Sequence, residues 1–321
     1  MTLRIGLIGA SRIATTAIIA PAAGRSDVQV TAVAARDPER ARAYAATHGV
    51  PHVAADYASL IARDDVDLVY VGLPPAGHAA WTIAALEAGK PVLCEKPFAR
   101  DAAEAQAMVE AAGRTGQVLI EAFHYRFHAV MDRALALVRS GALGALQRAH
   151  AVFQVPIPKD IDDLRWRADQ AGGALMDLGC YPLHILRTLI GAEPEVLSAQ
   201  GVFDNGVDAA MSASLAFPGG VEAQISCSMI PDAPGAVAVL EGSEGRLEII
   251  NFIAPQIGCR VTATIRGETQ VLPTDGPTTY EAQLDHVLDV LAGRAAQITG
   301  GADAIANMAA IDAIYRAAGR P

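Results

Sequence analysis

Cysteine is scarce in this chain, and its spacing carries no metal or disulfide pattern. Among 321 residues there are four cysteines: Cys94, Cys180, Cys227 and Cys259. The nearest two, Cys227 and Cys259, are 32 positions apart, and no C-x-x-C pair is present. This spacing argues against a disulfide framework, a structural zinc site and the ligand clusters of zinc alcohol dehydrogenases. We predict no metal site, and we expect each cysteine to be a small, buried apolar residue.

The chain also lacks excess positive charge and long apolar segments. Its formal net charge is −10 at pH 7, which argues against non-specific binding to nucleic acid or to an anionic membrane. No uninterrupted apolar run approaches the roughly 20 residues that span a bilayer. The first stretch, "MTLRIGLIGAS", has neither the basic start nor the small-residue cleavage site of a signal peptide. The sequence therefore predicts a cytoplasmic protein that binds neither nucleic acid nor membrane.

The composition is that of a globular protein with a substantial core, since 52% of the residues are hydrophobic and 19% are charged. The length suggests about two domains. Up to about residue 122, the apolar runs "LRIGLIG", "VQVTAVAA", "VDLVYVG", "PVLCE" and "QVLIEAF" alternate with helical stretches such as 38–48, 76–88 and 101–114. Runs that are apolar throughout are typical of parallel strands covered on both faces. Residues 1–122 are therefore predicted to form a doubly wound α/β domain.

The pattern changes after about residue 128. Helices are predicted at about 129–140, 173–190, 279–292 and 302–318. Between 194 and 273, strand-like runs are separated by the tight turns "FPGG", "EGSEG" and "IRGE", which indicate hairpins. Residues 123–321 are therefore predicted to form an α/β domain with a large, mostly antiparallel open sheet.

A glycine turn follows the first predicted strand. Gly9 and Ala14 fit the first and third positions of the dinucleotide-binding pattern G-x-G-x-x-G/A, and Ser11 replaces the second glycine. The second strand ends at Ala35, and Arg36 follows it, where an NAD-binding protein usually has an acidic residue on the ribose. A guanidinium there suits a 2′-phosphate. The sequence favours NADP. NAD stays the alternative, because Asp37 could contact a ribose, although it could also cap the next helix.

The stretch "GGALMDLGCYPLH" (172–184) carries three ionisable side chains at helical spacing. Asp177, Tyr181 and His184 are spaced i, i+4, i+7 and are predicted to share one helix face. They indicate either a reactive cluster or a hydrogen-bonded polar patch on a partly buried helix. Pro182 is unfavourable in a helix interior, so a kink or break is expected just after Tyr181.

Lys96 follows an apolar strand in "VLCEKPF", between Glu95 and Pro97. Oxidising a secondary alcohol requires a base for the hydroxyl proton while hydride leaves the carbon. Tyrosine is a poor base near pH 7 unless its anion is stabilised, and a nearby ammonium provides such stabilisation. Lys96 at the carboxyl end of a strand is predicted to do this for Tyr181, with Glu95 as the anchor of the lysine. A solvated ion pair at a strand end is the alternative.

Four segments together resemble one family: "GLIGASRIA", "PPAGHAAWTIAALEAGKPVLCEKPFA", "EAFHYRFH" and "GGALMDLGCYPLH". Along essentially its whole length the chain is similar to the glucose–fructose oxidoreductase/inositol dehydrogenase (Gfo/Idh/MocA) family. It looks most like the branch of NADP-dependent dihydrodiol dehydrogenases and aldose (xylose-type) dehydrogenases. Tyr181 argues against the inositol-dehydrogenase branch, which carries histidine at this position. Ser11 departs from the family pattern, and so does Ala129, where the branch often has proline.

The resemblance implies an NAD(P)-binding Rossmann domain, residues 1–122, followed by a substrate-binding α/β domain, residues 123–321, whose open sheet makes a homodimer or homotetramer. It implies Lys96 and Tyr181 as the catalytic pair, Asp177 as the residue that orients the site, and a cis peptide at Lys96–Pro97. The predicted cofactor-binding residues are Gly9, Ser11, Arg12, Ile13, Arg36, Leu73, His78, Glu95 and Lys96, with His78 beside the nicotinamide. The candidate substrate residues are His124, Arg126, His184 and Arg165.

The predicted function is NADP-dependent hydride transfer at a secondary hydroxyl or carbonyl of a sugar, polyol or trans-dihydrodiol. The alternative is a non-catalytic NAD(P)-binding sensor of the same fold, against which the complete set of Lys96, Asp177 and Tyr181 argues. A methyltransferase that uses S-adenosylmethionine would require an acidic residue where Ala35 and Arg36 stand, and it would leave Lys96 and Tyr181 without a role.

Overall fold

The computed structural model describes residues 2–160 and 162–320. The chain divides into two compact units, Met1–Phe123 with Tyr280–Ile305 and His124–Thr279 with Ala306–Pro321. The division after Phe123 adjoins the boundary predicted from the sequence. The segment Tyr280–Ile305, by contrast, groups with the first unit, whereas the sequence-based division assigns it to the second domain. The assignment of substrate binding and oligomerisation to 123–321 stays a prediction.

The first unit is built on a six-stranded sheet in which every pair of neighbours is parallel. Its strands are β1 (Leu3–Ile8), β2 (Val28–Ala34), β3 (His52–Val53), β4 (Leu68–Val71), β5 (Val92–Cys94) and β6 (Leu119–Glu121). The spatial order is β3-β2-β1-β4-β5-β6. Every residue of β4, β5 and β6 is buried, as in a sheet covered on both faces. The strand order reverses between β1 and β4, and ligands of such sheets bind beyond the carboxyl ends of the strands there.

Two of the helices of the first half begin at a capping aspartate and end at a glycine in the left-handed conformation. The helices of this half are α1 (Arg12–Ala14), α2 (Ala20–Ala22), α3 (Pro38–His48), α4 (Tyr57–Ile61), α5 (His78–Glu87) and α6 (Ala102–Thr115), with a π-helical turn, Thr15–Ile19, between α1 and α2. Asp101 begins α6 by accepting a hydrogen bond from the Glu104 N–H at 2.8 Å. Gly116, in the left-handed conformation, ends α6.

The second unit contains an eight-stranded sheet with the order β14-β13-β12-β11-β7-β10-β9-β8. Its strands are β7 (Leu146–Gln154), β8 (Glu195–Asp204), β9 (Val207–Phe217), β10 (Val221–Ser228), β11 (Gly235–Gly242), β12 (Gly245–Ile250), β13 (Arg260–Ile265) and β14 (Glu268–Leu272). All neighbours are antiparallel except β7 and β10. The three turns predicted from the sequence join consecutive strands, so the prediction of a mostly antiparallel sheet is confirmed. β7 is a central strand that the sequence reading does not include.

The remaining helices are α7 (Ala129–Arg139), α8 (Cys180–Ile190), α9 (Thr279–Leu291) and α10 (Ala302–Ala317). A π-helical turn, Leu175–Gly179, precedes α8 directly. The predicted break just after Tyr181 is therefore wrong, because the irregular turn lies before Tyr181. Pro182, which has no N–H group to donate, is the third residue of α8 and lies just after the π-helical turn, where the hydrogen-bond pattern is not that of a regular α-helix.

The two faces of the second sheet differ in chemistry. The π-helical turn and α8 pack on β7 and β10, and that face carries large apolar residues. The opposite face carries small polar residues, including Ser198, Gln200, Ser212, Ser214, Gln224 and Ser226. Cys94, Cys180 and Cys227 are buried as expected, but Cys259 is only partly buried, which corrects the expectation for that residue.

Candidate active site

The turn after β1 has the backbone of a close-approach loop. Gly9 has φ of +101°, and a Cβ atom at this position would lie 2.8 Å from the carbonyl oxygen of Gly72. No other residue fits there without a backbone shift. The Ser11 hydroxyl accepts a hydrogen bond from the Ala14 N–H at 3.3 Å and so caps the helical segment that Arg12 and Ile13 begin. This cap gives a structural reason for serine where the pattern has glycine.

The end of β2 is basic rather than acidic. Asp37 caps α3 by accepting a hydrogen bond from a backbone N–H two residues on, and Arg36 is exposed. Arg40 donates a hydrogen bond to the carbonyl oxygen of Ala10 at 2.9 Å. Burial raises the pKa of Tyr57, and the charges of Arg36 and Arg40 oppose that rise. Two guanidinium groups therefore lie close to Tyr57, one of them bound to the glycine turn. Arg40 is not among the residues predicted from the sequence.

His78 connects the loops that follow β4 and β5. Its Nε2 atom lies 2.8 Å from the carbonyl oxygen of Leu73, and its Nδ1 atom lies 3.0 Å from that of Pro97. The side chain is fully buried, and this burial lowers the pKa of His78. The contacted atoms are carbonyl oxygens, which only accept, so the N–H of the neutral imidazole donates to one of the two loops and holds the side chain of His78 there. The predicted cofactor residue Leu73 belongs to the same contact.

Glu95 is held by a buried tyrosine. The Tyr70 hydroxyl donates to Oε1 of Glu95 at 2.7 Å, and the backbone N–H of Lys96 donates to Oε2 at 3.3 Å. Burial, and then the neighbouring Glu95, raise the pKa of Tyr70 well above its ordinary value, so Tyr70 stays a donor. Lys96–Pro97 is cis, as the resemblance implies. Glu95 thus anchors the main chain at Lys96.

In the second unit, Tyr181 forms a hydrogen-bonded chain with two other side chains. Its hydroxyl lies 3.1 Å from Nε2 of His124, whose Nδ1 lies 2.8 Å from the hydroxyl of Thr279. All three residues are buried. His124 is therefore a direct partner of Tyr181, not only a candidate for substrate contact. Thr279 is not among the residues predicted from the sequence.

His184 is linked to Tyr181 through Tyr125. Nδ1 of His184 lies 2.6 Å from the hydroxyl of Tyr125, and the Tyr125 ring contacts the Tyr181 ring with centroids 5.8 Å apart. Phe252 packs edge-on against Tyr125, and Phe153 packs edge-on against Tyr181. This aromatic packing fixes the orientation of the Tyr181 ring.

Asp177 is paired with a cation. Nε of Arg165 donates to Oδ2 of Asp177 at 2.6 Å, and Nη1 of Arg165 contacts Asp163 at 3.3 Å. The charge of Asp177, before any other cause, raises the pKa of Arg165. Arg126, the fourth substrate candidate, lies 3.4 Å from Asp132. The second unit thus brings Tyr181 and His124 into direct contact and joins Asp177 to Arg165.

A buried carboxylate lies behind the helix that carries Tyr181. Asp208 is fully buried on β9; it accepts a hydrogen bond from the Leu175 N–H at 2.6 Å and from the Tyr315 hydroxyl at 2.8 Å. Burial raises the pKa of Asp208 to about 6. Asp208 is not predicted from the sequence, although an aspartate inside the apolar run "VDAAM" is a signal that could have identified it.

Within residues 2–160 and 162–320, no group of three or more histidine, cysteine, aspartate or glutamate side chains is arranged to hold a metal ion. Over the same described residues, no helix has the length and apolar character that crossing a bilayer requires.

Sequence comparison gives matches in both halves of the chain. The profile of the Gfo/Idh/MocA oxidoreductase family, NAD-binding Rossmann fold, matches residues 3–123, and the profile of the GFO/IDH/MocA C-terminal domain matches residues 131–248. A dTDP-3,4-didehydro-2,6-dideoxy-alpha-D-glucose 3-reductase of Streptomyces violaceoruber is 40% identical, over 86% of this chain and 82% of its own. D-xylose 1-dehydrogenase (NADP(+)) 2 of Haloferax volcanii is 32% identical, over 98% and 96%. The trans-1,2-dihydrobenzene-1,2-diol dehydrogenase of Oryctolagus cuniculus is 37% identical, over 70% and 68%.

Structure comparison agrees with these matches. The crystal structure of KijD10, a 3-ketoreductase from Actinomadura kijaniata in complex with NADP and TDP-benzene, superposes with a TM-score of 0.86. The superposition covers 99% of this chain and 98% of KijD10, at 28% sequence identity. Xylose-type and dihydrodiol dehydrogenases are both among the relatives, as the resemblance predicts. With both of its domains matched and its relatives aligned over most of their length, this chain belongs to the Gfo/Idh/MocA family of oxidoreductases.

Proposed function

We propose that this protein transfers hydride between NADP and a secondary hydroxyl or carbonyl of a sugar, polyol or diol. The observation that carries the proposal is the buried Tyr181 hydroxyl, held 3.1 Å from the His124 imidazole in a member of an oxidoreductase family. A phenolic hydroxyl coupled to a second acid–base group is suited to moving one proton while hydride moves elsewhere.

The first unit fits the cofactor. The turn at Gly9 leaves no room for a Cβ atom, so the backbone can approach a pyrophosphate closely there. Arg36 follows β2 where a 2′-phosphate would lie, and the dehydrogenase of Haloferax volcanii is named for NADP(+). The nicotinamide, when bound, supplies the site that accepts or donates hydride. The protein residues proposed to hold the cofactor are those predicted from the sequence: Gly9, Ser11, Arg12, Ile13, Arg36, Leu73, His78, Glu95 and Lys96.

The acid–base chemistry is assigned to Tyr181 and Lys96. In oxidation, Tyr181 takes the proton of the substrate hydroxyl; in reduction, it returns that proton to the carbonyl oxygen. The Lys96 ammonium stabilises the phenolate of Tyr181, and Glu95 fixes the main chain at Lys96 through the contacts described above. Asp177, neutralised by Arg165, orients the helical turn that precedes Tyr181.

Two substrate classes have specific support among the relatives. One is a free aldose or diol, because xylose and dihydrodiol dehydrogenases are among the relatives. The other is a nucleotide-linked ketosugar, because a relative at 40% identity is a reductase of a dTDP-linked sugar. Both require the same hydride and proton transfers, in opposite directions.

The test is NADPH absorbance at 340 nm with the purified protein. NADP⁺ is combined with aldoses, polyols and trans-dihydrodiols, and NADPH with dTDP-linked ketosugars. With the substrate that reacts best, Tyr181→Phe is expected to reduce turnover by about 10²–10⁴-fold, as for a lost general base, with NADP binding nearly unchanged. Lys96→Met is expected to have a similar effect, and the double variant to be little worse than either, because residues that act as one unit are not additive. NADP binding without turnover on any substrate would favour the sensor, and Tyr181→Phe with more than half of the wild-type turnover would move the base elsewhere.

We also propose that a second copy of the chain covers the small polar face of the second sheet, giving a homodimer or homotetramer. The supporting feature is that face itself, where serine and glutamine side chains of β8, β9 and β10 lie beside one another. Sedimentation velocity tests the proposal, and a monomer at micromolar concentration would contradict it.

A further inference from the structure

The chain Thr279–His124–Tyr181 is built so that a proton can pass along it. The two contacts are 2.8 Å and 3.1 Å, and the three side chains are 0%, 5% and 4% exposed. All three belong to the same compact unit. A buried histidine with a partner on each ring nitrogen is common; the chemical character of these two partners is what matters.

Each of these two hydrogen bonds of His124 is to a hydroxyl group, and a hydroxyl either donates or accepts a hydrogen bond. Nε2 of His124 can therefore accept a proton from Tyr181 while Nδ1–H donates to Thr279, and the opposite tautomer retains both contacts as well. His78 provides the contrast, because its ring nitrogens face three carbonyl oxygens, which only accept. Histidine is also the side chain whose ordinary pKa is nearest to neutrality. The geometry at His124 is thus compatible with gaining and losing a proton in place.

We propose that His124 is the proton-transfer partner of Tyr181, through which the tyrosine is reset between turnovers. The proposal rests on the proposed function, because it requires Tyr181 to be the group that exchanges a proton with the substrate.

In the oxidative direction, the substrate O–H proton moves to the Tyr181 phenolate as hydride leaves the carbon for NADP⁺. The Tyr181 O–H bond then breaks, and its proton forms an N–H bond at Nε2 of His124. The Nδ1–H group of His124 keeps its hydrogen bond to the Thr279 hydroxyl. The imidazolium releases one proton to water after the product leaves. The sum is one proton released and one NADPH formed for each alcohol oxidised, and reduction runs through the same steps in reverse.

The decisive variant is His124→Ala, assayed with and without free imidazole. Turnover is expected to fall about 10²-fold, with the NADP dissociation constant and the KM for substrate changed less than threefold, and imidazole at millimolar concentration is expected to restore part of the lost turnover. A structural role alone would not produce rescue by a soluble base. If His124→Ala keeps more than half of the wild-type turnover, or loses turnover that imidazole does not restore, the proposal is overturned.

Thr279 supplies a matched pair in case His124→Ala does not fold. Thr279→Ser keeps a hydroxyl at Nδ1 of His124, and Thr279→Val removes it with almost no change in shape. Turnover is expected to stay within twofold of wild type for Thr279→Ser and to fall at least fivefold for Thr279→Val. Equal turnover in the two variants would contradict the role of the chain.

The two proposals fail in different ways. If Tyr181→Phe is inactive while His124→Ala is fully active, only the role of His124 is refuted, and the proton of Tyr181 leaves by another route. If Tyr181→Phe is itself active, the assignment of the acid–base role to Tyr181 is refuted, whatever the behaviour of His124.

Discussion

The substitution Asp208→Asn should reduce the loss of stability that the second unit undergoes as the pH rises. The stability meant here is the free energy of unfolding. Asp208 is fully buried and holds the Leu175 N–H, at the start of the helical turn that leads to Tyr181. Its carboxylate also accepts from the Tyr315 hydroxyl. Asparagine has the same shape, can accept from Leu175 and can donate to the oxygen of Tyr315. The substitution therefore removes the charge while keeping both contacts.

The magnitude follows from the pKa of Asp208, raised by burial from 3.8 to about 6. Between these two values the folded protein keeps a proton that the unfolded chain has already released, so the free energy of unfolding decreases as the pH rises. The cost of the buried charge is absent well below pH 4 and complete above about pH 6. Taking about 1.36 kcal/mol per pKa unit, it amounts to roughly 1 kcal/mol at pH 4.5 and roughly 3 kcal/mol at pH 7.5.

Urea denaturation followed by fluorescence measures this directly. The two tryptophans, Trp81 and Trp166, lie one in each compact unit, so a Trp81→Phe background leaves a signal from the second unit alone. In that background, we compare the free energy of unfolding of the Asp208→Asn variant with that of its Trp81→Phe parent. The difference in favour of Asp208→Asn should grow by about 2 kcal/mol between pH 4.5 and pH 7.5. Other carboxylates titrate equally in both proteins and cancel in the difference.

Tyr315→Phe is the control. The hydrogen bond from Tyr315 lowers the pKa of Asp208 against the larger effect of burial, so removing that hydroxyl should enlarge the total decrease of the free energy of unfolding and extend it to higher pH. The raised pKa of Asp208 would be refuted by either of two results. The stability difference between the Asp208→Asn variant and its parent would be constant with pH, or it would shrink as the pH rises.

Two further substitutions test the role of Arg36 in NADP binding and the close packing of Gly173 against Asp208. Arg36→Ala should weaken NADP binding by roughly 1.5–3 kcal/mol and leave NAD binding unchanged in titrations of each cofactor; equal weakening of both would mean that Arg36 supports the fold instead. Gly173→Ala should destabilise the second unit by at least about 3 kcal/mol in urea denaturation, because φ is +127° and the new Cβ would lie 2.1 Å from Oδ1 of Asp208. Gly141→Ala, at a positive φ with open space around it, is its control and should cost only about 1 kcal/mol.

The fold of the first unit could be predicted because its signals are local. Strands buried on both faces are apolar at every position, and β4 and β5 show this directly. The second sheet was predictable where tight turns join neighbours. β7 was not, because it pairs with β10 in parallel and with β11, both far along the chain. Its sequence, "LQRAHAVFQ", has too few large apolar residues to indicate a central strand.

The site was predictable only in part, because helical spacing assumes 3.6 residues per turn. The π-helical turn Leu175–Gly179 contains Asp177 and ends just before α8, so the segment does not keep the uniform spacing on which the prediction of a common face for Asp177 and Tyr181 relies, and that common face stays a prediction. In the structure Asp177 contacts Arg165 while Tyr181 contacts His124. The position of Pro182 is explained by the same irregular turn, which ends just before α8 begins.

The histidines show what sequence can and cannot supply. Residue type and position were enough to select His78, His124 and His184, and all three are buried. Their chemistry depends on partners that no local pattern encodes: three carbonyl oxygens for His78, and hydroxyls from residues 57 and 155 positions away for His124. Carbonyl oxygens can only accept, so they hold an imidazole in place, whereas hydroxyls on both sides allow it to exchange a proton. A structural role therefore fits His78, and proton transfer fits His124, although the residue type is the same.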